Sequence, residues 1–104
     1  MCEYLAVLPI SNQNKFVCLS NFNNKTDDKI NEICVYENDI LIKREFKKIT
    51  KSGWWHIEVD FIPKRRYKVL NTIFDKDKSN IIKEISTEFS SIDELKNNGH
   101  FIAK

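Results

Sequence analysis

Residues 54–62 read Trp-Trp-His-Ile-Glu-Val-Asp-Phe-Ile, and apolar and polar side chains alternate strictly from Trp55 to Phe61. Successive side chains of a strand point to opposite faces, so this pattern predicts a half-buried antiparallel strand. One face carries Trp55, Ile57, Val59 and Phe61, and the other carries Trp54, His56, Glu58 and Asp60. The stretch therefore makes a β-sheet the centre of the predicted fold.

The preceding segment extends the pattern. Residues 40–49 place Ile40, Ile42, Arg44 and Phe46 on one face and Leu41, Lys43, Glu45 and Lys47 on the other. Thr50–Gly53 is a predicted turn, in which Gly53 can adopt a positive φ. We therefore predict a hairpin over Ile40–Ile62. In this hairpin the face with Lys43, Glu45 and Lys47 lies beside His56, Glu58 and Asp60 as a ladder of mixed charges.

The rest of the chain predicts more strands and little helix. Strands are predicted at Tyr4–Leu8, Lys15–Ser20, Ile33–Glu37, Tyr67–Asp75 and Ile81–Phe89, with an edge strand at Phe101 and Ile102. Thr26 is a candidate cap for a helix over Asp27–Glu32. Ser91 and Glu94 form a capping box for a second helix, Ile92–Asn98, which ends before Gly99. The predicted class is α+β, a single small domain over residues 1–104 with mainly antiparallel sheet and one or two short helices.

The composition excludes several classes of protein. The 104 residues include 14 Lys, 11 Asn and 14 Ile but only two Ala and two Gly. Low Ala disfavours a helical bundle, and two glycines do not make a glycine-rich phosphate loop. No apolar run approaches the roughly 20 residues that span a bilayer. The run Tyr4–Ile10 follows Glu3 and contains Pro9, so we interpret it as a strand and not as a signal sequence.

The cysteines predict reduced thiols. Cys2, Cys18 and Cys34 are odd in number and sixteen residues apart each time, without the close pairs of a metal site. We expect a cytoplasmic protein with no metal and no cofactor. A catalytic cysteine paired with His56 or His100 is an alternative that no motif supports.

Charge is distributed unevenly along the chain. The formal net charge is +2, which is too small to indicate a nucleic-acid-binding protein. Residues 43–68 contain nine basic and three acidic residues, so this segment is +6 and the remainder is −4. We interpret this as a surface with two electrostatic characters.

The first candidate partner-binding surface is the row Trp54, His56, Glu58 and Asp60, called here the Trp54 stripe. Its imidazole and carboxylates are also the raw material of acid–base or metal chemistry, but a solvated face or a partner surface is the simpler interpretation. Trp54 has two interpretations. It is an interface residue, since Trp is enriched in interface hot spots, or it closes the sheet edge against a helix.

The second candidate surface is the turn Pro63–Lys68, called here the basic turn, with candidate contacts Lys64, Arg65, Arg66 and Tyr67. Basic residues around an aromatic ring can hold phosphates and stack a base, which would suit a nucleic acid. The alternatives are a protein partner with an acidic patch and an ordinary solvated turn. The basic cluster Lys47–Lys51 lies about 26 Å away along the predicted strand, so the two clusters do not form one phosphate groove.

In general features the chain resembles the immunity proteins of bacterial contact-dependent growth inhibition and related polymorphic toxin systems. The shared features are small size, a start at Met1, a Lys/Asn/Ile-rich composition, a small antiparallel α+β domain and the lack of HExxH, GxSxG, CxxC or phosphate-loop motifs. No diagnostic motif is matched, so the resemblance carries over no individual residue. It implies a protein that is not an enzyme and that covers the active site of one cognate toxin, often a nuclease.

Two further functions stay open at this point. One is a small nucleic-acid-binding or regulatory domain that uses the basic turn, and the other is a phage-type inhibitor of a host defence enzyme. Inhibitors of nucleic-acid enzymes are commonly acidic, so either the −4 part of the chain contacts the toxin or the toxin presents an acidic patch to the basic segment. The sequence leaves the oligomeric state open, although an uncovered sheet edge would favour dimerisation.

Overall fold

Two four-stranded sheets form the fold in the computed structural model, which describes residues 4–10, 13–22, 28–90, 93–96 and 100–103. Along the chain the elements are β1 (Tyr4–Pro9), β2 (Lys15–Phe22), β3 (Lys29–Glu37), β4 (Ile40–Ile49), β5 (Gly53–Asp60), β6 (Tyr67–Asp75), β7 (Ile81–Phe89), α1 (Asp93–Lys96) and β8 (His100–Ala103). Sheet A has the strand order β5-β2-β1-β8, and sheet B has the order β4-β3-β6-β7. The six strand pairs are all antiparallel.

The two sheets face each other across a core that both supply. Alternate residues of each strand are buried because they point toward the opposite sheet. Sheet A contributes Leu5, Val7, Phe16, Cys18, Ile57 and Val59, and sheet B contributes Ile33, Val35, Tyr67, Val69, Ile85 and Phe89. At the centre, Phe16 packs edge-on against Tyr67 and Phe89, with ring centroids 5.3 and 5.0 Å apart. Leu95 of α1 is buried in the same core.

A belt of buried polar side chains separates this core from a smaller cluster of Phe22, Ile49 and Ile73. Asn31 of β3 is its hub. Its Nδ2 donates to Asn71 Oδ1 at 2.6 Å, and its Oδ1 accepts from the Ser20 hydroxyl at 2.7 Å. The Trp55 indole N–H donates to the same Asn31 oxygen at 2.5 Å. The belt links sheet A to sheet B by directional bonds, which specify how the sheets are aligned.

Most strand predictions are confirmed. β6 and β7 have the predicted bounds, and the alternation on β5 buries Ile57 and Val59 while Trp55 is half-buried. β8 is an edge strand of sheet A, as expected. These elements were predictable because each has a clear period-two pattern or a bounding turn.

The predicted hairpin over Ile40–Ile62 is wrong, because β4 and β5 belong to different sheets. β4 pairs with β3 across the tight turn at Asn38 and Asp39, whose φ angles are 49° and 68°. Such positive angles suit a two-residue hairpin turn. β5 pairs with β2 instead. Alternation determines which face of a strand is buried, but it does not determine the neighbouring strand.

The predicted helix over Asp27–Glu32 is also wrong. Lys29–Glu32 begin β3, which is paired with β4 on one side and β6 on the other. Asn31 and Glu32 are buried and bonded within these sheets, so tertiary contacts outweigh the local capping signal. Within the described residues helix is limited to the single turn α1, so the fold is mainly antiparallel β and the helical part of the α+β class is not confirmed. Thr26, Asp27, Ser91, Ile92 and Asn97–Gly99 lie outside the described residues.

Candidate functional site

One side of the two-sheet sandwich is bounded by two edge strands, β4 of sheet B and β5 of sheet A. They approach each other where Lys43 Nζ donates to the backbone carbonyl of Glu58 at 2.8 Å. Edge strands present backbone groups that can pair with another chain, and native proteins often protect them with lysine. This side of the molecule is called the open edge below.

The Trp54 stripe lies on the outer face of β5, at the open edge. All four of its side chains are exposed. Trp54 is 59% exposed, and its ring stacks on His56 with centroids 6.0 Å apart and an interplanar angle of 25°. Trp54 therefore does not close the sheet against a helix, and its broad apolar surface faces solvent.

The carboxylates of the stripe are not committed to neighbours. Glu58 and Asp60 lie opposite Val17 and Lys15 of β2, and among the described residues neither carboxylate forms a hydrogen bond or an ion pair. The predicted ladder with β4 does not form, because β4 is paired with β3 and Lys43 reaches only the backbone of β5. The stripe thus offers an aromatic stack at one end and two available negative charges at the other.

A cleft of about 690 Å³ lies between β4 and β5 at the open edge. Its apolar lining comes from Ile42, Ile57, Val59 and Ile62, and its polar lining comes from Lys15, Glu37, Lys43, His56, Glu58 and Asp60. Three of the four residues of the Trp54 stripe therefore border a concave surface. The mixture of aliphatic walls and charges of both signs suits a protein side chain or loop more than a single small ion.

The two arginines of the basic turn form ion pairs and hydrogen bonds within the protein. Arg65 forms an ion pair with Glu37, and the Arg66 guanidinium binds Asp39 at 2.6 Å. The backbone of Arg66 also exchanges hydrogen bonds with Asn38, at 2.9 and 2.7 Å. These contacts fasten the basic turn to the β3–β4 turn. Lys64 is exposed, with a positive φ of 68°.

Tyr67 is fully buried and is a core residue. Its hydroxyl donates to Glu37 and accepts from the Ile62 backbone N–H, both at 2.8 Å. Burial and the negative Glu37 raise the pKa of Tyr67 to about 12. The hydrogen bonds from Tyr67 and Arg65 lower the pKa of Glu37. Because its ring is enclosed, Tyr67 is not available to stack on a base.

The uneven charge along the chain is partly cancelled by pairing across the fold. Glu32, Glu37 and Asp39 lie outside the +6 segment, and they bind Arg44, Arg65 and Arg66 within it. Three of the six excess positive charges are therefore neutralised by contact, which leaves +3. The sequence interpretation of two electrostatic faces consequently does not carry over to the surface in simple form.

The structure contains a buried acid, Glu32, that the sequence does not predict. Glu32 lies on the outer face of sheet B, where its side chain is 8% exposed and accepts from Arg44 Nε at 2.9 Å and Lys78 Nζ at 3.1 Å. The Cys34 thiol donates to the same carboxylate at 3.4 Å. Desolvation opposes ionisation, but these bonds lower the pKa of Glu32. The sequence does not identify this acid, because the capping pattern predicts Glu32 at the end of a helix over Asp27–Glu32.

The described thiols are not suited to nucleophilic chemistry. Cys18 and Cys34 are free and buried. Burial raises the pKa of Cys18, and burial together with Glu32 raises the pKa of Cys34 to about 11. Cys18 points into the core, whereas His56 lies on the outer face of β5. Cys2 and the side chain of His100 lie outside the described residues.

Neither a metal-binding cluster nor a membrane-spanning helix occurs among the described residues. These residues contain no group of three or more His, Cys, Asp or Glu side chains placed to hold a metal ion. They also contain no helix of the length and apolar character needed to cross a membrane.

Comparisons of the whole chain with protein-family models, with curated proteins and with solved structures find no match.

Proposed function

We propose that this protein is an immunity-type inhibitor, which binds a cognate protein toxin through the Trp54 stripe and carries out no chemistry of its own. One observation carries the proposal. Trp54 is 59% exposed, stacks on His56 and shares its face with the uncommitted carboxylates of Glu58 and Asp60. A large exposed aromatic ring beside available charges is the composition of an interface hot spot with its polar surround.

The charge of the stripe favours a partner with a basic surface. Enzymes that act on nucleic acids bind phosphates with Lys and Arg, so an inhibitor that presents Glu58 and Asp60 is complementary to such an active site. Glu58 and Asp60 belong to the +6 segment 43–68, so the charge that favours such a partner is that of the Trp54 stripe itself and not that of the −4 remainder of the chain. Complementary charges would raise the association rate, and burial of Trp54 would slow dissociation. The proposal places the protein in the cytoplasm, where such a toxin would act.

We expect the basic turn to contribute less to binding than the Trp54 stripe. Lys64 and Arg66 are exposed and can add peripheral contacts, whereas Arg65 pairs with Glu37 and Tyr67 is enclosed. The nucleic-acid alternative needed Tyr67 to stack on a base and the arginines to grip phosphates. Because Arg65 pairs with Glu37 and the Tyr67 ring is buried, nucleic-acid binding has less support than binding of a protein partner.

The experiment is co-expression of the protein with the product of its neighbouring gene, followed by growth rescue and co-purification. The proposal expects that the neighbour alone stops growth and that this protein restores it by forming a stable complex. A harmless neighbour, or toxicity that this protein does not relieve, would refute the immunity function.

Matched variants locate the surface. Trp54→Ala should weaken the complex by about thirtyfold, the scale of a hot-spot residue. Glu58→Lys with Asp60→Lys should slow association most strongly at low salt. Ile81→Ala is the control, because Ile81 is a comparably exposed apolar residue (58%) on β7. Rescue and affinity unchanged by Trp54→Ala would show that the stripe is not the binding surface.

A further inference from the structure

The edge strand β4 borders the same cleft as the Trp54 stripe through Ile42 and Lys43, but its free edge supports an inference that does not rest on the proposed function. We propose that β4 pairs antiparallel with β4 of a second copy of this chain, which joins the two four-stranded B sheets into one continuous sheet. The resulting dimer has a two-fold axis that passes beside Arg44.

β4 is unusually open for a ten-residue strand. Residues 40–48 are all at least partly exposed, and Ile49 alone of the strand is buried. The exposed residues include Ile40 at 67%, Ile42 at 44% and Phe46 at 66%. A long edge strand with exposed apolar side chains is a template for pairing with another chain.

The register, that is, which residues of the two copies lie opposite each other, follows from the direction of the side chains and from their charge. Residues that lie directly opposite each other in an antiparallel pair point to the same face of the sheet. In a pair of identical strands related by a two-fold axis, one residue must therefore lie opposite its own copy, and the axis passes beside that residue. An axis beside Arg44 places Lys43 opposite Glu45 of the second copy, twice by symmetry. Ile42 does not enter this comparison, because the register of β4 against β3 shifts at Ile42 and leaves it without a partner on β3. Lys43 and Glu45 already lie on one face, since they are opposite Val35 and Ile33 of β3 and 3.6 Å from each other.

Three neighbouring registers set like charges against each other, whereas an axis beside Ile42 pairs residues 40–44 alone and brings no acid opposite a base. An axis beside Lys43 or Glu45 brings that residue opposite its own copy, and an axis beside Phe46 brings Arg44 opposite Lys48. Only Arg44 faces its own copy in the preferred register, and each Arg44 is bound by Glu32 at 2.9 Å. Among these registers, charge complementarity therefore selects the axis beside Arg44.

Sedimentation velocity over concentrations up to the millimolar range tests the proposal. The wild type should shift with concentration from the 12.3 kDa monomer to a species of twice that mass. Lys43→Glu and Glu45→Lys should each weaken the dimer by about tenfold, because like charges then face each other at two symmetric positions. The double variant should recover wild-type association. Lys76→Glu makes the same charge change on the exposed β6–β7 turn and should leave association unchanged.

A cross-linking measurement tests the register without reversing charge. In a background that carries Cys2→Ser and Cys34→Ser, Arg44→Cys should form a disulfide between copies under mild oxidation. Cys34 is replaced because it lies directly opposite Arg44 on β3 and would otherwise bond to the new cysteine within one chain. Phe46→Cys should not, because its two copies are about 13 Å apart along the strands, beyond disulfide reach. A wild type that stays monomeric at every concentration overturns the dimer. Single reversals without effect, or a double variant that fails to recover, overturn this pairing.

Discussion

Replacement of Glu32 by Gln tests the claim that a buried acid on the outer face of sheet B joins three elements. Glu32 of β3 binds Arg44 of β4 at 2.9 Å and Lys78 of the β6–β7 connection at 3.1 Å. Glu32→Gln keeps the size of the side chain and removes its charge. It therefore isolates the two ion pairs from packing.

The expected loss of unfolding free energy lies between two limits. An exposed ion pair contributes about 0.2–1 kcal/mol, and breaking a fully buried one costs about 3–5 kcal/mol. The side chain of Glu32 is 8% exposed, but those of Arg44 and Lys78 are 54% and 34% exposed and regain water readily. We therefore expect Glu32→Gln to lower the unfolding free energy by about 2 kcal/mol at neutral pH.

The pH dependence supplies a second readout. The pKa of Glu32 is lowered in the folded protein from its ordinary value of 4.5. The contribution of its charge is then fully present above the unfolded pKa and is lost as the pH falls through the folded pKa. Urea unfolding of wild type and Glu32→Gln should show a difference that shrinks steadily below about pH 4.5.

The control is Glu88→Gln, at an exposed glutamate on β7, which should change the unfolding free energy by less than about 0.5 kcal/mol. Equal stability of Glu32→Gln and wild type at neutral pH would refute the reasoning. A difference that stays constant from neutral to acid pH would show that lost packing, and not lost charge, is responsible.

Three further predictions concern buried polar groups. Tyr67→Phe should lower the unfolding free energy by about 1–2 kcal/mol, because Glu37 loses a hydrogen bond inside the fold, as measured by urea unfolding. Trp55→Phe should cost a similar amount, about 1–2 kcal/mol, since it removes the indole N–H that donates to buried Asn31. Cys34 should react with a thiol reagent only after unfolding, because its burial and raised pKa of about 11 suppress the thiolate, as followed by absorbance.

Matched variants separate these effects from general perturbation. Tyr36→Phe, at a half-buried tyrosine, and Trp54→Phe, at the exposed tryptophan, should leave stability nearly unchanged. If Tyr67→Phe or Trp55→Phe behaves like its control, the corresponding hydrogen bond does not contribute to stability. Rapid labelling of Cys34 in the native protein would contradict its enclosure by the outer face of sheet B.

The candidate site was only partly predictable. The sequence placed Trp54, His56, Glu58 and Asp60 on one exposed face, because strand periodicity alone determines that grouping. It also singled out the basic turn, but local sequence could not show that Arg65 binds Glu37, which lies 28 residues away. For the same reason the sequence does not predict the enclosure of Tyr67, since it depends on aromatic partners from β2 and β7.

The sequence by itself determined that this is a strand-rich chain, where most strands lie and which side chains of β5 point inward. These are local properties, set by alternation, turn residues and the scarcity of alanine. Only the tertiary structure decided that β4 and β5 belong to different sheets, that a predicted helix is the start of β3 and that excess positive charge is neutralised across the fold. Strand pairing and ion pairing join residues far apart in the chain, so the burial of both sheets together selects them.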